Sequence, residues 1–227
     1  MESIVRVLRC KSIGLVLAFG LTVGVGISSP SVSIEDGNVV LTDSGSRKTV
    51  THLHLDSEPV LSPDHLEVLV TRANPGDDDQ SCENNVKNRE ALWLVDLTSG
   101  TERKIISSRT GHAPGTQVCG FGEKQFSPDG ERLYFSTPGW ATSGALWVYD
   151  FKRAKAKYLL PSNGFHVLAD CKDASFRDKI VVSQHRYFAF GGSFDWYWLY
   201  GRDGRTELGP VGEGLDAVNA ACDMHLE

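Results

Sequence analysis

What most limits the folds open to this chain is that it repeats itself at a spacing of about fifty residues. Leu92-Trp93-Leu94-Val95-Asp96 matches Leu146-Trp147-Val148-Tyr149-Asp150, and Tyr197-Trp198-Leu199-Tyr200-Gly201 matches both more loosely; the tryptophans lie 54 and 51 residues apart. Each tryptophan segment is rich in aromatic and β-branched residues, which favour a strand. A turn and a polar strand follow each one: Glu102–Ile106, Ala156–Leu160 and Arg205–Leu208. Ahead of each stands the other half of the unit. Ser62-Pro63-Asp64 and Ser127-Pro128-Asp129-Gly130 are tight turns, in which proline presets φ and the aspartate can bond nearby backbone. Each turn leads into an apolar run, Glu67–Val70 or Leu133–Phe135, and Ser175–Asp178 before Ile180–Val182 is a worn copy.

A unit of four short strands recurring three times, over roughly 55–108, 120–161 and 166–209, predicts an all-β fold of the β-propeller type. The rival architecture is a β-sandwich of about twelve strands, which does not require the same tryptophan and Ser-Pro-Asp at matching places. Residues 38–50 look like a third and fourth strand without their predecessors, and Leu215–Asp223 looks like the start of a further unit. Together they predict a propeller of about four blades, closed by pairing of the N- and C-terminal strands, which would remove open sheet edges.

The start of the chain reads differently. Arg6, Arg9 and Lys11 precede an apolar run from Ser12 to Ile27, and small residues follow, so residues 1–33 are expected to be a secretory leader and 34–227 the domain. The run is too short and too poor in large side chains for a spanning helix, and no stable membrane insertion is expected once it is removed. The net charge of −6 includes +2 from this leader, leaving the remainder near −8. So acidic a domain is a poor partner for nucleic acid, where affinity comes from neutralising phosphates. Beyond the leader stand four cysteines, Cys82, Cys119, Cys171 and Cys222, with no Cys-x-x-Cys spacing. In an exported chain such a set favours disulfides over a metal or redox site. The expected localisation is periplasmic or secreted.

Phe126-Ser-Pro-Asp-Gly130, then Leu133-Tyr-Phe-Ser136, then Leu146-Trp-Val-Tyr-Asp150 resemble the repeat of TolB-type propellers. The likeness covers the chain from about residue 38, strongly in the two middle units. TolB has six blades and an additional N-terminal domain, for which this chain is too short. The same repeat occurs in the propellers of prolyl-oligopeptidase-like peptidases, where it screens a separate hydrolase domain. The resemblance implies a fold and a binding role rather than a particular partner.

In a propeller the loops between strands two and three and the loops between blades emerge on one face. Cys82 and Cys119 would meet there and are expected to pair, leaving Cys171 and Cys222 for each other; one bridge and two free thiols is the alternative. Phe188, Phe190, Phe194 and Trp196 surround Gly191-Gly192 in such a loop, outside the repeat. This cluster is either a recognition surface or packing between blades. With the Cys82 loop and residues His112–Cys119 it makes the candidate binding face, the named residues being Phe190, Phe194, Trp196 and His112.

No nucleophile or metalloprotease motif is present, and no catalytic residue, metal or cofactor is expected. Asp77-Asp78-Asp79 lacks the alternating spacing of a calcium loop. His52 and His54, read as one face of a strand, lack a third ligand. Asp170, Asp173, Asp216 and Asp223 are placed near the channel mouth, where polar groups commonly serve solvation. The function expected is an exported, non-catalytic scaffold binding a protein or peptide in the cell envelope. The alternatives are a propeller enzyme of lyase or glycosidase type, and an incomplete ring that completes itself as a homodimer.

Overall fold

The computed structural model describes residues 29–74, 90–109, 111, 113, 115–141, 143–224 and 226. Antiparallel sheets follow one another along the chain. The first has three strands, β1 (Ser31–Glu35), β2 (Asn38–Asp43) and β3 (Ser46–Thr49). Three four-stranded blades come next. They are β4 (Asp56–Leu61), β5 (Glu67–Ala73), β6 (Glu90–Asp96) and β7 (Glu102–Ser107); β8 (Lys124–Phe126), β9 (Arg132–Trp140), β10 (Ser143–Asp150) and β11 (Lys155–Ser162); β12 (Gly164–Leu168), β13 (Lys179–Tyr187), β14 (Ser193–Tyr200) and β15 (Glu207–Gly212). A short helix, α1 (Asp216–Cys222), ends the described chain.

In two of the blades the repeat extends to individual hydrogen bonds. In the first two full blades the serine hydroxyl donates to the aspartate at 2.6 Å, Ser62 to Asp64 and Ser127 to Asp129. The same hydroxyl accepts an N–H at 2.9 Å, from Glu67 or from Arg132, where the second strand begins. Gly130 takes φ +71° in this turn; the first blade puts His65 there at +61° and the third puts Asp178 at +57°. In the third blade Asp173 Oδ1 accepts from Ser175 N at 2.7 Å, doing for the worn turn what the serine–aspartate pair does elsewhere.

The tryptophans occupy equivalent positions. Trp93, Trp147 and Trp198 lie opposite Val70, Phe135 and Val182 of the second strand. Just before each, the pairing with the outer strand shifts at a β-bulge. Each tryptophan also faces the preceding sheet. Trp93 packs with Val39, Val50 and Val70, Trp147 with Leu69, Leu92 and Phe135, and Trp198 beside Tyr134, Leu146 and Phe165. Three apolar clusters thus join the sheets pairwise in chain order. The side-chain alternation of strands, buried on both faces of the middle blades, produces this layering.

The ends are where the structure departs from expectation. Leu215–Asp223 forms α1 instead of a strand, so no C-terminal strand pairs with the first sheet. Leu215, Val218 and Cys222 recur at helical spacing and sit in a fourth cluster with Leu168, Cys171 and Val181. The helix therefore covers the face of the last blade on which another blade would pack. Cys171 is bonded to Cys222, tying the helix to the start of that blade. None of the four clusters joins the first sheet to the last. The first sheet also gains a strand that the sequence reading lacked, β1, which begins three residues inside the stretch 1–33.

Candidate functional site

Because neighbouring strands are antiparallel, the hairpins β9–β10 and β13–β14 emerge at one end of the blades and the Ser-Pro-Asp turns at the other. At the first end the sequence-expected Phe194 and Trp196 come together on β14, with Phe190 at the tip of their hairpin. Gly191 and Gly192 close that tip at φ +97° and +85°, a conformation costly for any side chain. Phe188 N donates to Gly192 O at 3.1 Å and Gly191 N to Phe188 O at 3.2 Å.

The aromatic rings form a ladder. Centroids are 4.6 Å apart for Phe188–Phe194, 5.3 Å for Phe194–Trp196 and 6.4 Å for Trp196–Trp198, so the series runs from the tip down to the repeat's own tryptophan. Tyr187 is 69% exposed and Phe188 56%, while Phe190 is fully in solvent. Trp140, at the tip of β9–β10 on the same end, is 44% exposed and lies 6.2 Å from Tyr158. Trp140 and Tyr187 were missed from sequence because each sits on the last residue of a strand, where the repeat pattern sets no rule.

The base of the ladder is fixed by charge. The Arg186 guanidinium lies 3.4 Å over the Trp198 ring and donates to Gln184 Oε1 at 2.6 Å, Glu207 Oε2 at 2.6 Å and the Tyr200 hydroxyl at 2.9 Å. Burial opposes the arginine's charge, yet hydrogen bonding to Glu207 and the field of Tyr200 and Glu207 outweigh it and raise its pKa. The same Arg186 contact holds the Glu207 carboxyl below its usual range, and burial pushes the Tyr200 hydroxyl up. The ladder is therefore a row of rings whose base is held by Arg186 and whose tip stands in solvent, suited to apolar and aromatic contact.

Of the other expected positions, Cys82, His112 and Asp77–Asp79 lie outside the described residues. Cys119 is fully buried and disulfide-bonded. His52 and His54 do not share a strand face: residues 51–55 form a bend between β3 and β4. His54 there sits 3.0 Å from the Asn38 amide through Nδ1, fixing the bend to the first sheet. Asp173 caps its turn and Asp223 pairs with Lys172 at 3.0 Å. Among the described residues no group of three or more His, Cys, Asp or Glu is placed to hold a metal.

One charged cluster was not foreseen. Glu58 sits at a bulge of β4 with φ +49°, and its carboxylate accepts from the buried Lys124 of β8 at 2.5 Å. Lys124 also donates to Gly122 O at 2.8 Å. Burial, reinforced by Glu58 and opposed by Lys124, raises the pKa of the neighbouring Glu90 carboxyl. A carboxyl whose pKa is raised by burial, beside a buried lysine, is the kind of perturbed pair that can serve acid–base chemistry. Nearby, Gln125 of β8 accepts from Val167 N at 2.8 Å and donates to Phe165 O at 3.2 Å, stitching the inner strands of neighbouring blades.

No protein-family model matches the sequence, and no curated protein matches it. Among solved structures, the acylaminoacyl peptidase of Pyrococcus horikoshii is similar at a TM-score of 0.50 and 14% identity, over 81% of this chain and 30% of that one. The β-propeller domain of the Trilobed protease from Pyrococcus furiosus gives 0.46 and 17%, over 72% and 44%. TolB from Acinetobacter baumannii gives 0.39 and 14%, over 80% and 52%. The chain thus spans about a third to a half of the structures it matches. At such identities the likeness is one of fold. The chain is a β-propeller of four sheets, built on the Ser-Pro-Asp turn and tryptophan strand that resemble the TolB-type repeat.

Proposed function

We propose that this chain is an exported, non-catalytic propeller that binds a protein or peptide in the cell envelope through the β13–β14 hairpin. The reading is carried by the aromatic ladder: Tyr187, Phe188 and Phe190 stand exposed on a hairpin whose base is locked by Arg186. Aromatic side chains held in this way lose little conformational freedom on binding, and tyrosine, tryptophan and arginine dominate interface energetics. Disulfide bonding of Cys171, Cys222 and Cys119 supports an oxidising compartment.

The test is to pan a random peptide library against the purified chain and titrate the enriched peptides. Saturable binding should weaken at least tenfold in a Phe188→Ser/Phe190→Ser variant with an unchanged melting temperature. Enriched peptides that bind this variant as well as the parent, or no enrichment at all, would overturn the reading. The raised Glu90 carboxyl beside Lys124 favours a second reading, an acid–base enzyme of the inner strands. A screen of glycan and lactone substrates with Glu90→Gln as control tests it; turnover abolished by that substitution would establish it.

A further inference from the structure

The opposite end of the propeller holds a different surface. A cavity of about 490 Å³ opens between the second and third full blades, beside the turns β10–β11 and β14–β15. Five cationic side chains line it, Arg132, Arg153, Lys155, Lys157 and Arg205. Two carboxylates, Asp150 and Asp203, accompany them, leaving a local excess of three positive charges in a chain whose net charge is −6. Val148 and Leu159 supply an apolar floor.

The register explains the clustering. Asp150 faces Lys155 and Val148 faces Lys157 across β10–β11, so alternate residues of one sheet face deliver both lysines to the groove. Both carboxylates are already engaged. Asp150 accepts from Arg153 N at 2.8 Å and Arg153 Nη1 at 2.6 Å; Asp203 accepts from Arg205 N and Thr206 N at 2.9 Å and from the Thr206 hydroxyl at 2.7 Å. Among the described residues, the side chains of Lys155, Lys157 and Arg205 make no hydrogen bond or ion pair with either, nor with any other group. The groove thus carries more cations than its two carboxylates offset, beside an apolar floor.

The walls are fixed. Arg202 O accepts from the Tyr134 hydroxyl at 2.7 Å and from Arg132 Nη1 at 3.2 Å, fastening the turn of the third blade to the second. Arg202 pairs with Asp129 as well. Gly204 takes φ +65° where any Cβ would meet Leu159 Cδ1 at 2.3 Å, so the turn lies directly on the groove floor. Clefts of this size bury most of a small ligand, with a few charged groups setting its orientation.

We infer that this groove is a binding site for a small organic anion, carrying phosphate or carboxylate groups over an apolar body. The ligand's charged groups meet Lys155, Lys157 and Arg205 while its body lies on Val148 and Leu159. The site is at the other end of the blades from the aromatic ladder and is independent of it.

Anilinonaphthalene sulfonate, an aromatic sulfonate, serves as the probe, titrated into the full chain by fluorescence. Saturable binding is expected to fall about tenfold or more in Lys155→Gln/Lys157→Gln/Arg205→Gln, equivalent to about 1.4 kcal/mol or more. A control that removes three exposed cations elsewhere, Arg47→Gln/Arg103→Gln/Lys172→Gln, should bind like the parent, and thermal unfolding should show both variants folded. Displacement by inorganic pyrophosphate but not citrate assigns the anion as a phosphate; displacement by citrate assigns a carboxylate. Absence of saturable binding, equal loss in the control, or failure of both competitors overturns the inference.

Discussion

Replacing each of two equivalent tryptophans by phenylalanine should have unequal consequences, because their surroundings differ in one polar atom. Trp147 is buried, lies 5.6 Å from Tyr158 and 6.2 Å from Phe135, and donates from Nε1 to Thr137 Oγ1 at 3.0 Å. Trp198 Nε1 is equally out of solvent but has no hydrogen-bond partner. In Trp147→Phe the smaller ring leaves a void costing roughly 1–2 kcal/mol, and the lost hydrogen bond adds about 1 kcal/mol. In Trp198→Phe the void term is similar, and a weaker cation–π contact with Arg186 costs about 0.5–1 kcal/mol. Against that, the change removes a buried unsatisfied donor, which returns roughly 1–3 kcal/mol. Trp147→Phe should therefore destabilise by about 2–3 kcal/mol and Trp198→Phe by about 1 kcal/mol or less. Urea unfolding followed by circular dichroism measures both, read from midpoints at an unchanged slope. Equal losses, or a larger loss for Trp198→Phe, would show that the orphaned N–H is not the deciding term.

Three further outcomes are expected. The Cys171–Cys222 bridge has a sequence separation of 51, so Cys171→Ser should cost about 4 kcal/mol by chain-entropy reasoning. Hydrogen exchange should accelerate first in α1, and equal protection of α1 with and without the bridge would contradict the role given to it. Ala154 holds φ +49° at the turn position where the preceding blade has Gly100, so Ala154→Gly should raise stability by up to about 1 kcal/mol in a thermal melt. A loss of stability would mean that the strain is already relieved. Acid should unfold the chain. The Ser62 hydroxyl holds the Asp64 carboxyl low, and backbone N–H groups of Ser99, Arg153, Ser175 and Thr206 hold Asp96, Asp150, Asp173 and Asp203 low. Their stabilisation is complete above the ordinary carboxylate pKa, about 4, and disappears as pH falls through the lowered values. Glu207, held low by Arg186, acts in the same sense, while Glu90, raised by burial, works in the opposite one, one group against six. The melting temperature should fall steadily below about pH 4; a flat profile there would refute the assignment.

How much could be read beforehand differs between the middle of the chain and its ends. The four-stranded units were legible because Ser127-Pro128-Asp129 and Leu146-Trp147 are constrained locally: a turn must satisfy its own backbone, and a strand buried on both faces must be apolar. The third unit was harder because Asp173 and Asp178 do by other means what serine, aspartate and glycine do in the second. Its bounds shifted accordingly, from 166–209 to Gly164–Gly212. The helix α1 was missed because Leu215–Cys222 was matched to the start of a blade, while the i, i+3, i+7 spacing of Leu215, Val218 and Cys222 was the better signal. The basic groove was not legible. Its cations come from two blades, and only the register of β10 with β11 and the docking of the Arg202–Arg205 turn bring them together.

Among the described residues, the first and last sheets are covered in different ways. An open sheet edge or an unpaired blade face invites association unless something covers it. At one end α1 supplies that cover, placing Val218 and Leu215 where a neighbouring blade would put its own apolar side chains. At the other end the cover is polarity. Val32 and Ile34 of β1 turn inward to the next sheet, so Ser31, Ser33 and Glu35 turn outward, and Arg47 of β3 pairs with Glu35 on that side. A face of that composition gains little by burial, since its charges would have to be desolvated against a helix-capped blade.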